Sequence, residues 1–202
     1  MEGTTSFKTL EGPSPETLFK EKKSKFYGYA FPIKTEDAVK PIIQRLQKEH
    51  PHANHFCFAW KLNPDGSAYR ASDDGEPNNT AGMPIYGQLN SFGLTNVLLV
   101  VVRIFGGTKL GAGGLIQAYR ASAKITLEAS NIKTEFVTDK IIITVPYGEL
   151  QKVMRYIKQD RLKIVSQDMG LNCTLTVSVD RSDTEKIVSK FKGVRSAVIK
   201  VK

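Results

Sequence analysis

Cysteine is scarce in this chain. Two residues in 202, Cys57 and Cys173, are too few for a disulfide framework and point to a reducing cytoplasm. Long apolar runs are missing too. The longest purely aliphatic stretch, residues 97–102, is far short of the roughly 20 residues that cross a bilayer, so no membrane association is expected. The opening Met1-Glu2-Gly3-Thr4-Thr5-Ser6 has no basic start followed by an apolar segment, and no secretory leader is expected. Aromatics are modest at 9%, with one tryptophan. Hydrophobic residues at 41% and charged residues at 24% exclude a disordered or collagen-like chain.

An acidic surplus is also absent. Twenty-nine Lys/Arg against 20 Asp/Glu give a net charge of +9. Residues 1–130 account for only +3. Residues 131–202 hold 14 Lys/Arg against 8 Asp/Glu, a net of +6 in barely half the length. That balance suits a phosphate-rich partner, and equally suits a solvated basic surface.

The pattern of elements divides the chain. The first twenty residues, with Gly12, Pro13 and Pro15, read as a loose arm carrying a short edge strand. An aromatic strand at 26–31 precedes a helix opened by a Thr35 cap, with Pro41 expected to kink it. Strands follow at 56–60 and 68–70, then a helix capped by Thr80 and ended by Gly93. The run 97–102 reads as a strand buried on both faces, and 114–130 as a buried helix. The texture changes near Ile132, which sets domains at 1–131 and 132–202. The second domain reads β-α-β-β-α-β, a ferredoxin-like plan. Clean alternation over 171–179 implies a sheet with one buried and one polar face.

Three stretches hold candidate chemistry. In the first, Arg103, Gly106, Gly107, Lys109, Gly111, Gly113 and Gly114 follow the buried strand and open a helix. Backbone amides and two cations there suit an anion or phosphate, or else the glycines serve tight packing. The spacing is neither a P-loop nor G-x-G-x-x-G. In the second, Asp73, Asp74 and Glu76 suit a hard cation or proton transfer, an ion pair with Arg103 and Lys109, or a solvated turn. In the third, His55 and Cys57 share a strand face, but the four ligands of a structural zinc are not assembled. Cys57 therefore reads as a buried thiol, and no metal is expected.

These motifs carry a resemblance. Residues 72–77, 80–85 and 101–115, with the His55-Phe56-Cys57 strand, closely resemble the signature of the YigZ/IMPACT family. Asn78-Asn79 and Ile104-Phe105 depart from the usual pattern without touching the carboxylates or glycines. The resemblance implies an α+β chain: an N-terminal domain like domain 2 of ribosomal protein S5, and a ferredoxin-like domain similar to domain V of elongation factor G. Eukaryotic relatives act in translational control through protein contacts.

The function expected is a non-enzymatic protein that binds RNA or the ribosome and regulates translation, with no cofactor. Lys152, Arg155, Lys158, Lys186 and Lys190 are expected to form one basic patch on two helices covering the same sheet face. Two alternatives stand beside it. One is a Mg-dependent enzyme acting on a phosphorylated small molecule or nucleotide. The other is a protein-interaction module in a stress pathway.

Overall fold

The computed structural model describes Thr4–Lys202. Met1–Gly3, the start of the stretch read as lacking a leader, lie outside it. The fold is α+β in two compact units, Ser6–Glu135 and Phe136–Lys202, the latter also holding Thr5 through a bond from Val137 N–H to Thr5 O.

The first unit contains β1 (Ser6–Leu10), β2 (Thr17–Glu21), β3 (Ser24–Pro32), α1 (Val39–Glu49), β4 (His55–Leu62) and β5 (Ala68–Ser72). It continues through α2 (Gly82–Ser91), β6 (Val97–Ile104), α3 (Gly111–Glu128) and β7 (Ile132–Phe136). Five strands form an antiparallel sheet in the order β2-β3-β6-β4-β5, and β1 pairs separately with β7. The break expected after residue 131 therefore precedes a strand that carries the first unit on to Glu135.

Strand β6 is central, which explains its unbroken apolar sequence. Val97, Leu99 and Val101 join the core beneath α2 and α3. Leu98, Val100 and Val102 join the opposite core with Phe31, Trp60 and Leu46 of α1. Both faces are covered, so neither alternate set is polar.

Local expectations shift in four places. The N-terminal arm forms two strands, because Leu10 is buried in the core and Thr17 Oγ1 pairs with Thr126 Oγ1 at 2.7 Å. Thr35 makes no side-chain cap; a 3₁₀ turn at Glu36–Ala38 leads into α1. Pro41 is the third residue of α1, where no helical acceptor exists for the N–H it lacks, so it sits in the first turn without breaking the ladder. Thr80 donates to Pro77 O at 2.6 Å instead of capping α2.

The second unit runs β8 (Thr138–Pro146), α4 (Leu150–Gln159), β9 (Lys163–Asp168), β10 (Asn172–Asp180), α5 (Thr184–Lys192) and β11 (Val198–Val201). The antiparallel order β11-β8-β10-β9 is the ferredoxin-like arrangement. Ile141, Ile143, Cys173, Leu175 and Val177 face Val153 and Ile157 of α4 and Ile187 and Phe191 of α5. Across the sheet, Ile142, Thr144, Thr174, Thr176 and Lys200 share the other face in register, with no aromatic side chain among them.

Candidate functional site

The three candidate stretches meet around Arg103, which sits on β6 opposite His55 of β4 and Phe26 of β3. Arg103 donates from Nη1 to Glu76 Oε1 at 2.6 Å, and both side chains are nearly sealed, at 6% and 4% exposure. Its Nη2 reaches Ser24 Oγ at 3.4 Å, and its Nε has no acceptor among the described residues. The guanidinium lies 5.5 Å from the ring centroids of both Phe26 and Phe105. From α3, the Tyr119 hydroxyl also donates to Glu76 Oε1, at 2.8 Å. His55 Nδ1 is 2.8 Å from Asp74 O, a pure acceptor, so Nδ1 carries the proton; Nε2 then lies 3.9 Å from Glu76 Oε1.

A cleft of about 410 Å³ opens over this cluster. It is lined by His55, Glu76, Arg103 and Lys109, by Gly111 and Ala112 at the start of α3, and by Pro77, Phe105, Leu110 and Leu115. Beneath it, Cys57 Sγ donates to Asp73 O at 2.9 Å and lies 3.3 Å from the Tyr119 hydroxyl. Burial pushes both the Cys57 thiol and the Tyr119 phenol well above their ordinary values, so both stay protonated. Cys57 is a buried thiol held by hydrogen bonds and has none of the thiolate character a nucleophile needs.

The acidic stretch divides. Asp73 Oδ1 accepts the N–H groups of Ala81 and Gly82 at 2.9 and 2.8 Å, and its Oδ2 accepts Asn79 N–H at 2.8 Å. Asp73 thus caps α2 from a distance, the role expected of Thr80. Asp74 Oδ2 accepts Phe56 N–H at 2.6 Å. Only Glu76 reaches the cleft. Among the described residues no three His, Cys, Asp or Glu side chains gather to hold a metal ion, so the shared-cation reading of Asp73, Asp74 and Glu76 finds no geometry.

The glycine run divides as well. A Cβ on Gly106 would fall 2.1 Å from the Lys23 carbonyl carbon, so this residue serves close packing against the β2–β3 turn. Gly107 and Gly111 have φ of +85° and +71°, which favours glycine whatever the surroundings. A Cβ on Gly114 would fall 3.2 Å from Leu110 Cβ. Gly113 is exposed, and a Cβ there would meet nothing within 4 Å. Lys109 is exposed at the cleft mouth.

In the second unit, Lys152, Arg155 and Lys158 are exposed along α4, opposite its buried Val153 and Ile157. None of the three pairs with a carboxylate among the described residues. On α5 the setting differs. Lys190 Nζ is bound to both oxygens of Asp160 at 2.8 and 2.7 Å, and Lys186 borders a hollow with Asp160, Asp180 and Asp183. The patch expected to be continuous thus comprises an unpaired stripe on α4 and, on α5, Lys186 beside a Lys190 that is bound to Asp160.

Sequence reasoning missed Tyr119, Ser24 and Phe105 as parts of the cluster. Tyr119 lies in an alanine-rich helix with no local signal. Only the i, i+4 placement after the buried Leu115 puts it on the inner face.

The described residues contain no helix long and apolar enough to cross a membrane. A family model described as the Impact N-terminal domain matches residues 22–127. The "IMPACT family member YigZ" of Escherichia coli is 31% identical over 181 residues, 88% of this chain and 89% of that protein. The "Protein IMPACT homolog" of Saccharomyces cerevisiae is 30% identical over 106 residues, 50% of this chain and 41% of that one. A crystal structure of a hypothetical protein superposes with a TM-score of 0.75 at 28% identity, over 96% of both chains.

Proposed function

This chain belongs to the IMPACT family, and from that premise we propose that it regulates translation by binding RNA or the ribosome through its C-terminal unit. The translational part of this reading rests on the family. The RNA part rests on one observation, the unpaired stripe Lys152, Arg155 and Lys158 on α4. Three free cations on one helix face meet phosphates without reading sequence. The outer face of the sheet carries Ile142, Thr144, Ser166, Asp168, Thr174, Thr176, Val198 and Lys200 in register, none of them a ring on which a base would stack.

A filter-binding salt series with ribosomes, structured RNA and duplex DNA tests the reading. Reversing Lys152, Arg155 and Lys158 to Glu should flatten the slope of log affinity against log salt by about two to three, because each phosphate contact contributes about 0.7–0.9 to it. No affinity above a neutral control at low salt defeats it.

One observation favours a protein partner as a second reading. Tyr147 N–H donates to Leu171 O at 3.2 Å, so the two backbones are adjacent, and both side chains are left open, at 70% and 95% exposure. Large apolar side chains exposed at neighbouring positions suit a contact with another protein. Stable co-purification with a protein from nuclease-treated lysate, lost in Leu171→Ser, would favour it over RNA.

A further inference from the structure

The N-terminal unit plays no part in that reading. We propose that the hairpin joining β2 to β3 is a second, separate contact for nucleic acid, in which Lys20, Lys22, Lys23 and Lys25 grip neighbouring phosphodiesters of the backbone.

Strands β2 and β3 are joined by only two residues, Lys22 and Lys23, between the paired Glu21 and Ser24. Both have left-handed backbone, with φ of +43° and +66°. Two such residues in a two-residue loop are the mark of a type I′ turn, which Asn-Gly fills with least strain. Lysine, with its Cβ, is strained at each position. The chain accepts that strain twice in succession and sets a cation at both places.

A second, independent cost lies one pair further back. Lys20 and Lys25 stand directly opposite each other across the ladder. Like charges so placed repel. On the other side of Lys25 the next strand presents Ile104, so neither cross-strand neighbour of Lys25 is a carboxylate. All four lysines are exposed, and none pairs with a carboxylate among the described residues. Glu21 is the one carboxylate of the two strands. By alternation it shares the face of Phe19, which packs on the core beneath α2 and α3, and so points away from Lys20.

Neither solubility nor protection of the sheet edge explains these positions. Any exposed site would serve solubility. A lysine on the edge strand β2 deters pairing with another chain, but Lys25 is on the inner strand β3, and Lys22 and Lys23 lie in the turn. Strain and repulsion retained together at one place point to a contact made there. A polyanion relieves the repulsion directly.

The turn is also held in place. Ser24 is fully buried, and its Oγ accepts the Gly106 N–H at 3.2 Å and Arg103 Nη2 at 3.4 Å. Gly106 lets the loop after β6 lie against the Lys23 backbone. The cations therefore stand on a fixed base, and only their flexible stems adjust to the spacing of phosphates.

Four lysines select nucleic acid over a protein surface. Lysine is depleted where proteins meet, because its ammonium is strongly hydrated and resists burial. Against a phosphodiester backbone it stays in water and acts as a point charge, displacing counterions without reading sequence.

The test is a ¹⁵N titration of the full chain with a short RNA duplex, its single strand, the matching DNA duplex, poly-glutamate and phosphatidylglycerol vesicles. Saturable shifts of the Lys22, Lys23 and Ser24 amides are expected with the nucleic acids. Poly-glutamate and the vesicles should bind at least about tenfold more weakly at equal charge. Whichever nucleic acid binds most tightly identifies the form recognised. The amide shifts should persist when Lys152, Arg155 and Lys158 are replaced by Gln, so failure here is distinct from failure of the α4 stripe.

Two variants separate binding from folding, because each should stabilise the chain. Lys22→Asn combined with Lys23→Gly supplies the residues a type I′ turn prefers, and Lys25→Glu converts the opposed lysines into an ion pair. Both should raise the melting temperature. The first should flatten the slope of log affinity against log salt by about 1.4–1.8, the loss of two phosphate contacts. The second should flatten it by a similar amount, since the new carboxylate also holds Lys20. The proposal is overturned if the turn amides ignore every nucleic acid, or if neither variant alters the salt slope. Poly-glutamate or vesicles bound as tightly as RNA overturn it too, as does a fall in melting temperature in both variants, which would make the lysines structural.

Discussion

Arg103 Nη1 and Glu76 Oε1 meet at 2.6 Å although 27 residues separate them and both side chains are almost wholly buried. The same oxygen accepts the Tyr119 hydroxyl, so one carboxylate ties β6, α3 and the loop before α2 together. Removing one partner of a buried pair leaves the other charge uncompensated, which costs about 3–5 kcal/mol. Glu76→Ala should lose that much in urea unfolding. Glu76→Gln, which keeps an acceptor for both donors, should lose about half. A Glu76→Ala protein within about 1 kcal/mol of the parent would show that the pair does not hold the loops.

Asp73 accepts three backbone N–H groups, two of them at the start of α2. Asp73→Ala should therefore cost about 2 kcal/mol, the upper range for losing a cap, and Asp73→Asn about half because one oxygen remains. With Asp73 and Asp74 occupied by amides, millimolar Mg²⁺ or EDTA should leave the melting temperature unmoved. A rise with Mg²⁺ that Asp73→Asn abolishes would restore a cation role.

Much of this architecture was legible beforehand, for identifiable reasons. The alternation of Cys173, Leu175, Val177 and Val179 with polar neighbours marked a half-buried strand, and the solid run at 97–102 marked one buried twice. Such patterns survive in sequence because burial acts residue by residue along one strand. The site was legible only as fragments. Nothing local tells Asp73 from Glu76, three residues on; one turns back to the Ala81 amide and the other inward to Arg103. That choice depends on the pairing of β4 with β6, which sets His55 opposite Arg103. The glycines were equally opaque. Gly106 and Gly113 look alike in sequence but face the Lys23 backbone and open solvent respectively.

That contrast gives the third prediction. Gly106→Ala drives a methyl into the Lys23 carbonyl and should cost about 2–3 kcal/mol, as overpacking against unyielding backbone does. Gly113→Ala meets nothing and should gain up to about 1 kcal/mol from helix propensity. Thermal and urea unfolding read both. Equal effects would mean the run is uniform in its demands.

Alkali should weaken the first unit. Burial raises Cys57, Tyr119 and Tyr29 above their ordinary values, and a hydrogen bond to Glu16 adds to the effect at Tyr29. The folded chain thus keeps protons that the unfolded chain sheds from about pH 8.5 for the thiol and about pH 10 for the phenols. Stability is full below those values and falls above them, by up to about 1.4 kcal/mol per pH unit for each group. Urea midpoints from pH 7 to 11 should decline most steeply past pH 10, and Cys57→Ala should remove the early part of the decline. A flat profile would mean these groups ionise in place.

The last prediction separates the two helices of the second unit. Lys158 on α4 is exposed and unpaired among the described residues, while Lys190 on α5 is bound to both oxygens of Asp160. A lysine held by a carboxylate neutralises no phosphate, so it frees none of the cations condensed on the nucleic acid. Asp160 follows the last residue of α4, so the pair also ties the end of that helix to α5. Removing single charges should therefore give unequal salt slopes with ribosomes or structured RNA. Lys158→Gln should flatten the slope by about 0.7–0.9, and Lys190→Gln by less than about half as much. The neutral substitution matters, since a Glu at 190 would repel Asp160 and mix a folding defect into the binding signal. Equal flattening by both variants would show that Lys190 leaves Asp160 for phosphate and that the binding face spans both helices. Flattening by neither would place the contact outside α4 and α5 altogether.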